Sequence, residues 1–460
     1  VGEHRLTLFG IGYYAFSYIP GLIPIFAENQ YDSNYPNRGD TIDPRQKEQT
    51  HTALVALNDV WQLSANQQLQ LSGFFRTYNL SLFSNFGSDL GLIRQSEFRT
   101  VAGASANYVN KVADYLSLLG GFDYGREAPR RDDLDSYGFF QPSNSGYYGP
   151  FKPIDGNNIT IASLTPYLAA EGAVARHFRY YLGWRRDEIN IDNEDLVVTA
   201  QNPNDSFQKW VGVNSPKATV SFLPGESWYL PLISLSFGQS FFTEDPRVGL
   251  AGSGTVAASP VATSHSYQFV ASKTARNTDF KITLGHVTSS AELGKIDPDT
   301  GAQFDFGPSR LRFMTIAVRH TFRQASLLAT FSKADARDLM TGEPTPEAPR
   351  TIFDLLGTIQ KLPFRLQLRG EFEYVGIKPL GTGCAPNLDA ECTGTPVNEF
   401  RGALIRSFKN GRLSAGTNFL IASGYSGQTT ENFYPSSTEE VVGVRIPSNA
   451  SVSFTYRFGR

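Results

Sequence analysis

Apolar and polar residues alternate with a period of two along many segments of this chain. In FRLQLRGEFEY, residues 364–374, the Phe, Leu, Gly and Tyr positions fall on one side and the Arg, Gln and Glu positions on the other. The same alternation closes the chain in VSFTYRFGR, residues 452–460. Successive side chains of a β-strand point to opposite faces, so each segment has one apolar and one polar face. The pattern predicts strands, and no convincing amphipathic helix accompanies them.

The alternation predicts about 18 strands. Most of them are roughly 11–19 residues long, whereas strands of globular sheets usually have about 5–6 residues. A tilted strand needs about 9–11 residues to cross the hydrocarbon layer of a membrane. The predicted strands are 4–17, 49–62, 68–84, 95–109, 115–126, 161–175, 178–190, 207–223, 229–242, 265–273, 278–293, 309–321, 325–336, 350–361, 364–378, 397–408, 412–424 and 440–458.

The connections between these strands alternate between short and long. Lys409-Asn410-Gly411 and Leu362-Pro363 are tight turns, whereas 379–396, 337–349 and 127–160 are long. Outer-membrane barrels have short periplasmic turns and long extracellular loops. The sequence therefore predicts an all-β, transmembrane antiparallel β-barrel that crosses the outer membrane many times. Lipid does not form hydrogen bonds with unpaired backbone groups, so we expect the last strand to pair with the first.

Length and composition refine this picture. A chain of 460 residues usually forms two or three domains, but the continuous strand pattern favours one barrel domain over 1–460. Aromatic residues reach 13%, which suits strands that bury one face only. The formal net charge of −3 gives no electrostatic case for nucleic acid. The chain enters strand-like sequence directly after Val1 without a signal peptide, so we expect a missing N-terminal part.

The chain contains no recognisable catalytic motif. Gly-x-Ser-x-Gly, His-Glu-x-x-His and Walker patterns are absent, and the six histidines are scattered. We predict no enzyme activity, no cofactor and no metal site. Cys384 and Cys392 lie within GCAPNLDAEC, where their spacing suits a disulfide-closed loop in an oxidising compartment. A pair of free thiols is the alternative.

Candidate ligand contacts lie in the long segment 127–160. Arginine and aromatic side chains together stack on and pair with an anionic or aromatic iron chelate. A loop that packs on itself is the alternative. The candidates are Arg130, Arg131, Tyr137, Phe139, Phe140, Tyr147 and Tyr148. Arg365, Arg369, Glu371 and Glu373 are predicted to face the lumen, where they would line a substrate path or pair with one another and with a plug.

Several segments resemble, in order along the chain, the barrel of TonB-dependent receptors. The likeness covers nearly the whole chain and lies in the order of segments that are individually weak. The segments are LFSNFGSDLGLIRQSEFRTVAGASANY (82–108), GGFDYGRE (120–127), SLSFGQSFFTEDP (234–246), SYQFVASKTARNTDFKITLGHVTS (266–289), GTNFLIASGYSG (416–427) and SVSFTYRFGR (451–460).

The resemblance implies an outer-membrane importer of a scarce ligand such as a ferric siderophore, cobalamin, haem or oligosaccharide. It implies as partners outer-membrane lipid, a plug domain, the TonB complex and a small-molecule or chelate ligand, with no nucleic acid. The family barrel has 22 strands around a plug, so this chain would lack the plug, the TonB-contacting box and the first strands. The alternatives are a passive substrate-selective porin of about 18 strands and a surface adhesin or structural barrel.

Overall fold

The structure is a computed structural model. It describes residues 3–19, 23–24, 45–84, 92–136, 140–141, 146–147, 152–198, 204, 206–225, 229–243, 261–291, 293–296, 303–305, 307–345, 348–382, 391–393, 396–408, 413–423, 428–434, 437–442 and 448–456. No helix of these residues is long and apolar enough to cross a membrane.

The described chain is built from strands and one short 3-10 turn, Pro363–Arg365. In chain order the strands are β1 (Glu3–Tyr18), β2 (Ile23–Pro24), β3 (Lys47–Ser64), β4 (Gln67–Ser84), β5 (Ile93–Ala113), β6 (Leu116–Ser136), β7 (Phe140–Gln141), β8 (Gly146–Tyr147), β9 (Lys152–Ala175), β10 (Phe178–Asp195), β11 (Phe207–Asn214), β12 (Lys217–Phe222), β13 (Leu232–Thr243), β14 (Val261–Ala275), β15 (Thr278–Ser289), β16 (Leu293–Ile296), β17 (Gln303–Asp305), β18 (Ser309–Thr321), β19 (Ala325–Asp338), β20 (Thr351–Leu362), β21 (Leu366–Val375), β22 (Pro379–Thr382), β23 (Glu391–Thr393), β24 (Val397–Phe408), β25 (Leu413–Ser423), β26 (Gln428–Tyr434), β27 (Ser437–Val442) and β28 (Asn449–Tyr456).

One antiparallel sheet contains 19 of these strands, each paired with its neighbour along the chain. β11 and β12 both pair with β10, on either side of a break at Ser215 and Pro216, so the 19 strands fill 18 positions. Proline has no N–H to donate, which explains an interruption at this point. The all-β fold and the number of strands predicted from the sequence are confirmed.

The sheet does not close in the described part of the chain. β1 pairs with β3, and β28 pairs with β25, but no ladder joins β28 to β1 among these residues. The expectation that the last strand pairs with the first is therefore wrong for the described residues. The two edge strands present unpaired backbone groups on their outer sides.

Connections alternate along the sheet as the sequence predicts. Two residues join β3 to β4, β5 to β6, β9 to β10 and β14 to β15, whereas the links that follow these hairpins are long. The two-residue turns lie at one end of the sheet, named here the short-turn end, together with the nine-residue link between β12 and β13; the other long connections lie at the opposite end, the long-loop end. At 361–365 the turn places Lys361, Phe364 and Arg365 at positive φ.

Large apolar side chains cover one face of the sheet, named here the outward face. On β28, Val452 and Phe454 are 64% and 77% exposed on this face, and Leu118, Phe122 and Tyr124 of β6 are exposed as well. Cross-strand register places further members beside them, which together form an apolar belt: Leu168, Leu182, Trp184, Val220, Leu235, Tyr267, Phe280, Leu284, Leu327, Phe400, Leu404 and Ile421. Monomeric proteins in water rarely expose so large an apolar surface.

The opposite, inward face is mostly polar, as the alternation requires. Its main apolar feature is a small buried cluster of Ile189, Ile191, Val213 and Val261. Ile161, Phe207, Val211 and Phe241 pack against this cluster. The structure therefore has a modest inward core and a much larger outward apolar surface.

Part of the predicted loop 127–160 is strand, which corrects the sequence-based boundaries. β6 continues to Ser136 and β9 begins at Lys152, and the two remain paired over this stretch. β10 likewise continues to Asp195, within the predicted loop 191–206. Beyond the belt the outward face is polar and the inward face mixes isoleucines with charged residues, so the alternation fades although the backbone ladder continues. Residues 93–101, 126–136, 152–162 and 186–195 are named here the strand extension.

Candidate functional site

Charged side chains of the inward face gather in three places. The first, named the extension cluster, lies in the strand extension and comprises Glu97, Arg99, Glu127, Arg130 and Asp132. The second, on β6, β9 and β10, comprises Asp123, Thr165, Arg185 and Asp187. The third, named the wall cluster, lies on β20, β21 and β24 and comprises Asp354, Arg369, Glu371, Glu373, Glu399 and Arg401.

The extension cluster is a nearly sealed ion-pair network. The Arg99 guanidinium pairs with Glu97 and lies 3.2 Å from the Glu127 carboxylate. Arg130 donates from Nε to the Asp132 carboxylate over 2.8 Å, and Asp132 is only 2% exposed. Burial raises the pKa of Glu97, and the nearby Asp132 carboxylate adds to this effect against the opposing influence of Arg99 and Arg130.

A bulge decides which of two neighbouring arginines faces inward. The register between β6 and β9 shifts between Glu127 and Arg130, at Pro129. Arg130 consequently lies on the inward face opposite Ile159, and Arg131 lies outward. Arg131 pairs there with Asp133 at 2.7 Å, and this bond raises the pKa of the guanidinium. The two predicted ligand contacts thus belong to opposite faces of a strand and not to one loop.

Two buried acceptor oxygens beside Arg130 have no hydrogen-bond partner among the described residues. They are Asp132 Oδ1 and Asn157 Oδ1, on directly paired residues of β6 and β9. The Asn157 side-chain amide donates to Asp155 over 2.7 Å. A buried acceptor without a hydrogen bond destabilises the folded state, so binding of a hydrogen-bond donor at this position is favourable.

The cluster on β6, β9 and β10 surrounds one buried carboxylate. Asp187 is 1% exposed and accepts hydrogen bonds from the Thr165 hydroxyl at 2.8 Å and from Arg185. Arg185 also lies 3.2 Å from the Asp123 carboxylate. Each charge has a partner, so this cluster stabilises the packing of three strands.

The wall cluster is open and rich in carboxylates. Arg401 lies 3.7 Å from Glu371 and 3.5 Å from Glu373, and it also pairs with Glu399. Arg369 pairs with Glu371 at 3.5 Å. Asp354 lies directly opposite Glu373 in the ladder between β20 and β21. Four carboxylates thus face two guanidiniums on the inward face.

A depression of about 310 Å³ adjoins the wall cluster. Arg369, Glu371 and Arg401 form its charged side, and Asn418 and Asn449 supply amides. A depression of this size holds a small molecule or part of a larger one. Charged and amide groups converge here without being sealed from solvent, so the wall cluster is the stronger candidate binding site.

Sequence reasoning predicted part of the wall cluster and missed the rest. Arg369, Glu371 and Glu373 share the inward face of the sheet. Arg365 does not: it lies exposed in the turn at the short-turn end, because three positive-φ residues end the alternation before β21 begins. Asp354, Glu399 and Arg401 were missed, although the alternation in VNEFRG (397–402) places the last two on the polar side of their strand.

The structure describes the backbone of two further predicted contacts. Phe140 and Tyr147 pair through their backbones in the two-residue ladder of β7 and β8. Tyr137, Phe139, Tyr148 and Cys384 lie outside the described residues, as does the side chain of Cys392 in β23. The disulfide and the aromatic contacts stay predictions. No group of three or more His, Cys, Asp or Glu side chains able to hold a metal ion occurs in the described part of the chain.

The fold is that of the barrels of TonB-dependent outer-membrane receptors. The ferric citrate transporter FecA matches with a TM-score of 0.74 and 11% identity, over 98% of this chain and 67% of its own. The ferric yersiniabactin uptake receptor FyuA from Yersinia pestis matches with 0.73 and 10%, over 100% and 68%. The siderophore receptor PiuA from Acinetobacter baumannii matches with 0.69 and 12%, over 98% and 71%.

Sequence comparison adds nothing to this likeness. No family model and no curated protein matches the chain. The similar structures are transport receptors and not enzymes. At identities of 10–12% the shared property is the fold.

Proposed function

We propose that this chain forms the wall of an outer-membrane receptor that imports a scarce ligand by active transport. The proposal depends on one observation. The chain forms one large sheet with the fold of the receptor barrels, and this sheet has an apolar outward face and a charged inward face. The outward belt matches hydrocarbon, and the inward clusters match a wet or plugged lumen. The short-turn end then faces the periplasm and the long-loop end faces the medium.

The ligand class follows from the groups that the lumen presents. Arg369 and Arg401 are half-exposed and share their carboxylates, so each guanidinium is able to exchange a carboxylate partner for oxygen atoms of a ligand. Guanidinium forks suit carboxylate and catecholate oxygens. PiuA, FyuA and FecA are named for siderophores, yersiniabactin and ferric citrate. A ferric chelate is therefore the first candidate, followed by haem, cobalamin and oligosaccharides, with the aromatic segment 137–151 as its proposed outer contact.

Energy coupling through TonB and a plug domain completes the proposal. A receptor of this kind binds its ligand too tightly for passive exit, so release needs an energy-driven rearrangement of a plug. The inward charged residues then serve two roles, pairing with plug side chains at rest and with ligand during passage.

A passive porin is the second candidate, because the sheet has 18 strand positions, a number found among porins. A closed porin of that size requires a ladder between β1 and β28. The described residues contain no such ladder, which favours the receptor.

Growth on single iron sources tests the proposal. We expect a deletion strain to grow slowly on at least one ferric chelate at limiting concentration, and the wild-type gene to restore growth. A double variant, Arg369→Gln with Arg401→Gln, should restore growth incompletely. The matched outward variant, Arg126→Gln with Arg186→Gln, should restore it fully.

Uptake of the same chelate after collapse of the proton-motive force separates the two candidates. Import by the receptor should stop, because it depends on coupled energy. Uptake that continues at an unchanged rate would establish the porin. Normal growth of the deletion strain on every chelate, haem, cobalamin and glycan would exclude import altogether.

A further inference from the structure

A second charged surface lies on the outward face, just beyond the apolar belt at the long-loop end. Register places Leu284, Met314 and Lys333 in one cross-strand row of β15, β18 and β19. The next row toward the long-loop end contains Arg312 and Asp335, and the row after it pairs Arg310 with Arg337. Arg310, Arg312, Lys333 and Arg337 are named here the basic patch. Toward the short-turn end the same strands present Ile316, Val318 and Phe331 outward.

The basic patch carries more positive charge than its neighbours neutralise. Asp335 is its only carboxylate among the described outward residues of these two strands; it lies 2.9 Å from Arg337 and 3.9 Å from Arg310. The Asp338 carboxylate, at the end of β19, accepts the backbone N–H groups of Met340 and Thr341.

Within the basic patch, some donors have no partner among the described residues. Arg310 Nε is buried without a hydrogen-bond acceptor. The side chains of Arg312 and Lys333 are exposed. An arginine and a lysine side by side, together with a guanidinium nitrogen without an acceptor, present several charged donors to an anion.

The same level of the opposite flank is built differently. On the outward face of the strand extension three of the four arginines have a carboxylate of their own, and the fourth, Arg126, has no ion pair among the described residues. Arg131 pairs with Asp133 and Arg186 with Glu188, both at 2.7 Å, and Arg94 pairs with Asp135. Burial raises the pKa of Asp135 although the Arg94 guanidinium opposes this effect. The clustering of four basic side chains around one carboxylate is thus a local property of β18 and β19.

We propose that the basic patch binds the phosphate of an anionic lipid in the leaflet that surrounds the long-loop end. The proposal rests on the apolar belt lying in a bilayer, as proposed above. A head-group phosphate then lies at the level of Arg312 and Lys333 while the acyl chains cover Ile316, Val318 and Phe331. Cations placed at a membrane surface attract anionic lipids, and a guanidinium pairs with two phosphate oxygens at once.

Lipid retention in nanodiscs tests the proposal. The full-length protein is reconstituted in phosphatidylcholine with a small fraction of phosphatidic acid, and the lipid that stays bound after transfer to detergent is counted by native mass spectrometry. We expect phosphatidic acid to be enriched on the wild-type protein. The double variant Arg312→Gln with Lys333→Gln should bind it about thirtyfold more weakly. The double variant Arg126→Gln with Arg186→Gln should stay within about threefold of wild type.

Several outcomes of this experiment would overturn all or part of the proposal. Equal loss in both double variants, or no loss in the first, overturns the proposed site. Displacement by millimolar inorganic phosphate would assign the site to free phosphate and overturn the lipid assignment. Insertion into bilayers without any preference for phosphatidic acid overturns this inference alone, whereas failure to enter phosphatidylcholine bilayers overturns the proposed membrane location as well. Circular dichroism of every variant confirms that the strands are intact.

Discussion

The extension cluster and the wall cluster use the same kinds of side chain in opposite ways. In the extension cluster, Arg130 and Asp132 are almost fully covered by β5, β6 and β9, with side chains 12% and 2% exposed. In the wall cluster, Arg401 is 49% exposed and shares three carboxylates. A buried ion pair is shielded from other charged groups and keeps its partner. A half-exposed guanidinium exchanges one carboxylate for another at a small cost in free energy. The first arrangement suits a rigid rim and the second suits passage of a ligand.

Removal of Arg130 should have the largest effect on stability. Arg130→Ala leaves the buried carboxylate of Asp132 without its paired cation, which costs about 3 kcal/mol. Arg131→Ala, one residue on but outward and half-exposed, should cost less than about 1 kcal/mol. Thermal unfolding of the detergent-solubilised protein, followed by circular dichroism, measures both. Equal losses for the two variants would show that the extension cluster is not sealed.

Removal of Arg401 should have a smaller effect that depends on salt. Arg401→Gln leaves Glu371, Glu373 and Glu399 close together, but water reaches them, so the cost is about 1 kcal/mol at low ionic strength. The Debye length falls from about 10 Å at 0.1 M to about 3 Å at 1 M, so the loss should vanish at high salt. The loss from Arg130→Ala should persist, because buried pairs are screened much less. A loss of stability in Arg401→Gln that does not depend on salt would show that the wall cluster is buried in the same way as the extension cluster.

The contrast between the clusters also shows what sequence patterns reveal. Alternation identified the polar face of FRLQLRGEFEY, and hence Arg369, Glu371 and Glu373, because a strand repeats every two residues. It failed at Arg365, where three residues of positive φ form a turn that the pattern does not mark. It also missed Arg401 as the centre of the wall cluster, because only the register between β21 and β24 brings Arg401 opposite Glu371.

The strand extension was harder still to predict. Above the apolar belt the outward face of β6 and β9 is polar and their inward face mixes charged with apolar residues, so the sequence resembles a loop although the ladder continues to Ser136 and Lys152. The bulge at Pro129 then exchanges the faces of Arg130 and Arg131, an outcome that depends on one extra residue and not on side-chain type. Composition and spacing sufficed for the fold, the number of strands and the alternation of connections, whereas the partners of each charge required the register.

The smallest expected effect is on the pH dependence of stability. It distinguishes the contribution of burial from that of ion pairing within the extension cluster. The pKa of Glu97 is raised, mainly by burial, so the folded state binds its proton more tightly than the unfolded state does. Stability should therefore fall as pH rises from the ordinary glutamate pKa of about 4.3 through the raised value. Glu97→Gln should flatten this part of the profile, by less than about 1 kcal/mol. Unfolding temperatures across this pH range would measure the slope, and a slope that survives in Glu97→Gln would assign the burial penalty to another carboxylate of the cluster.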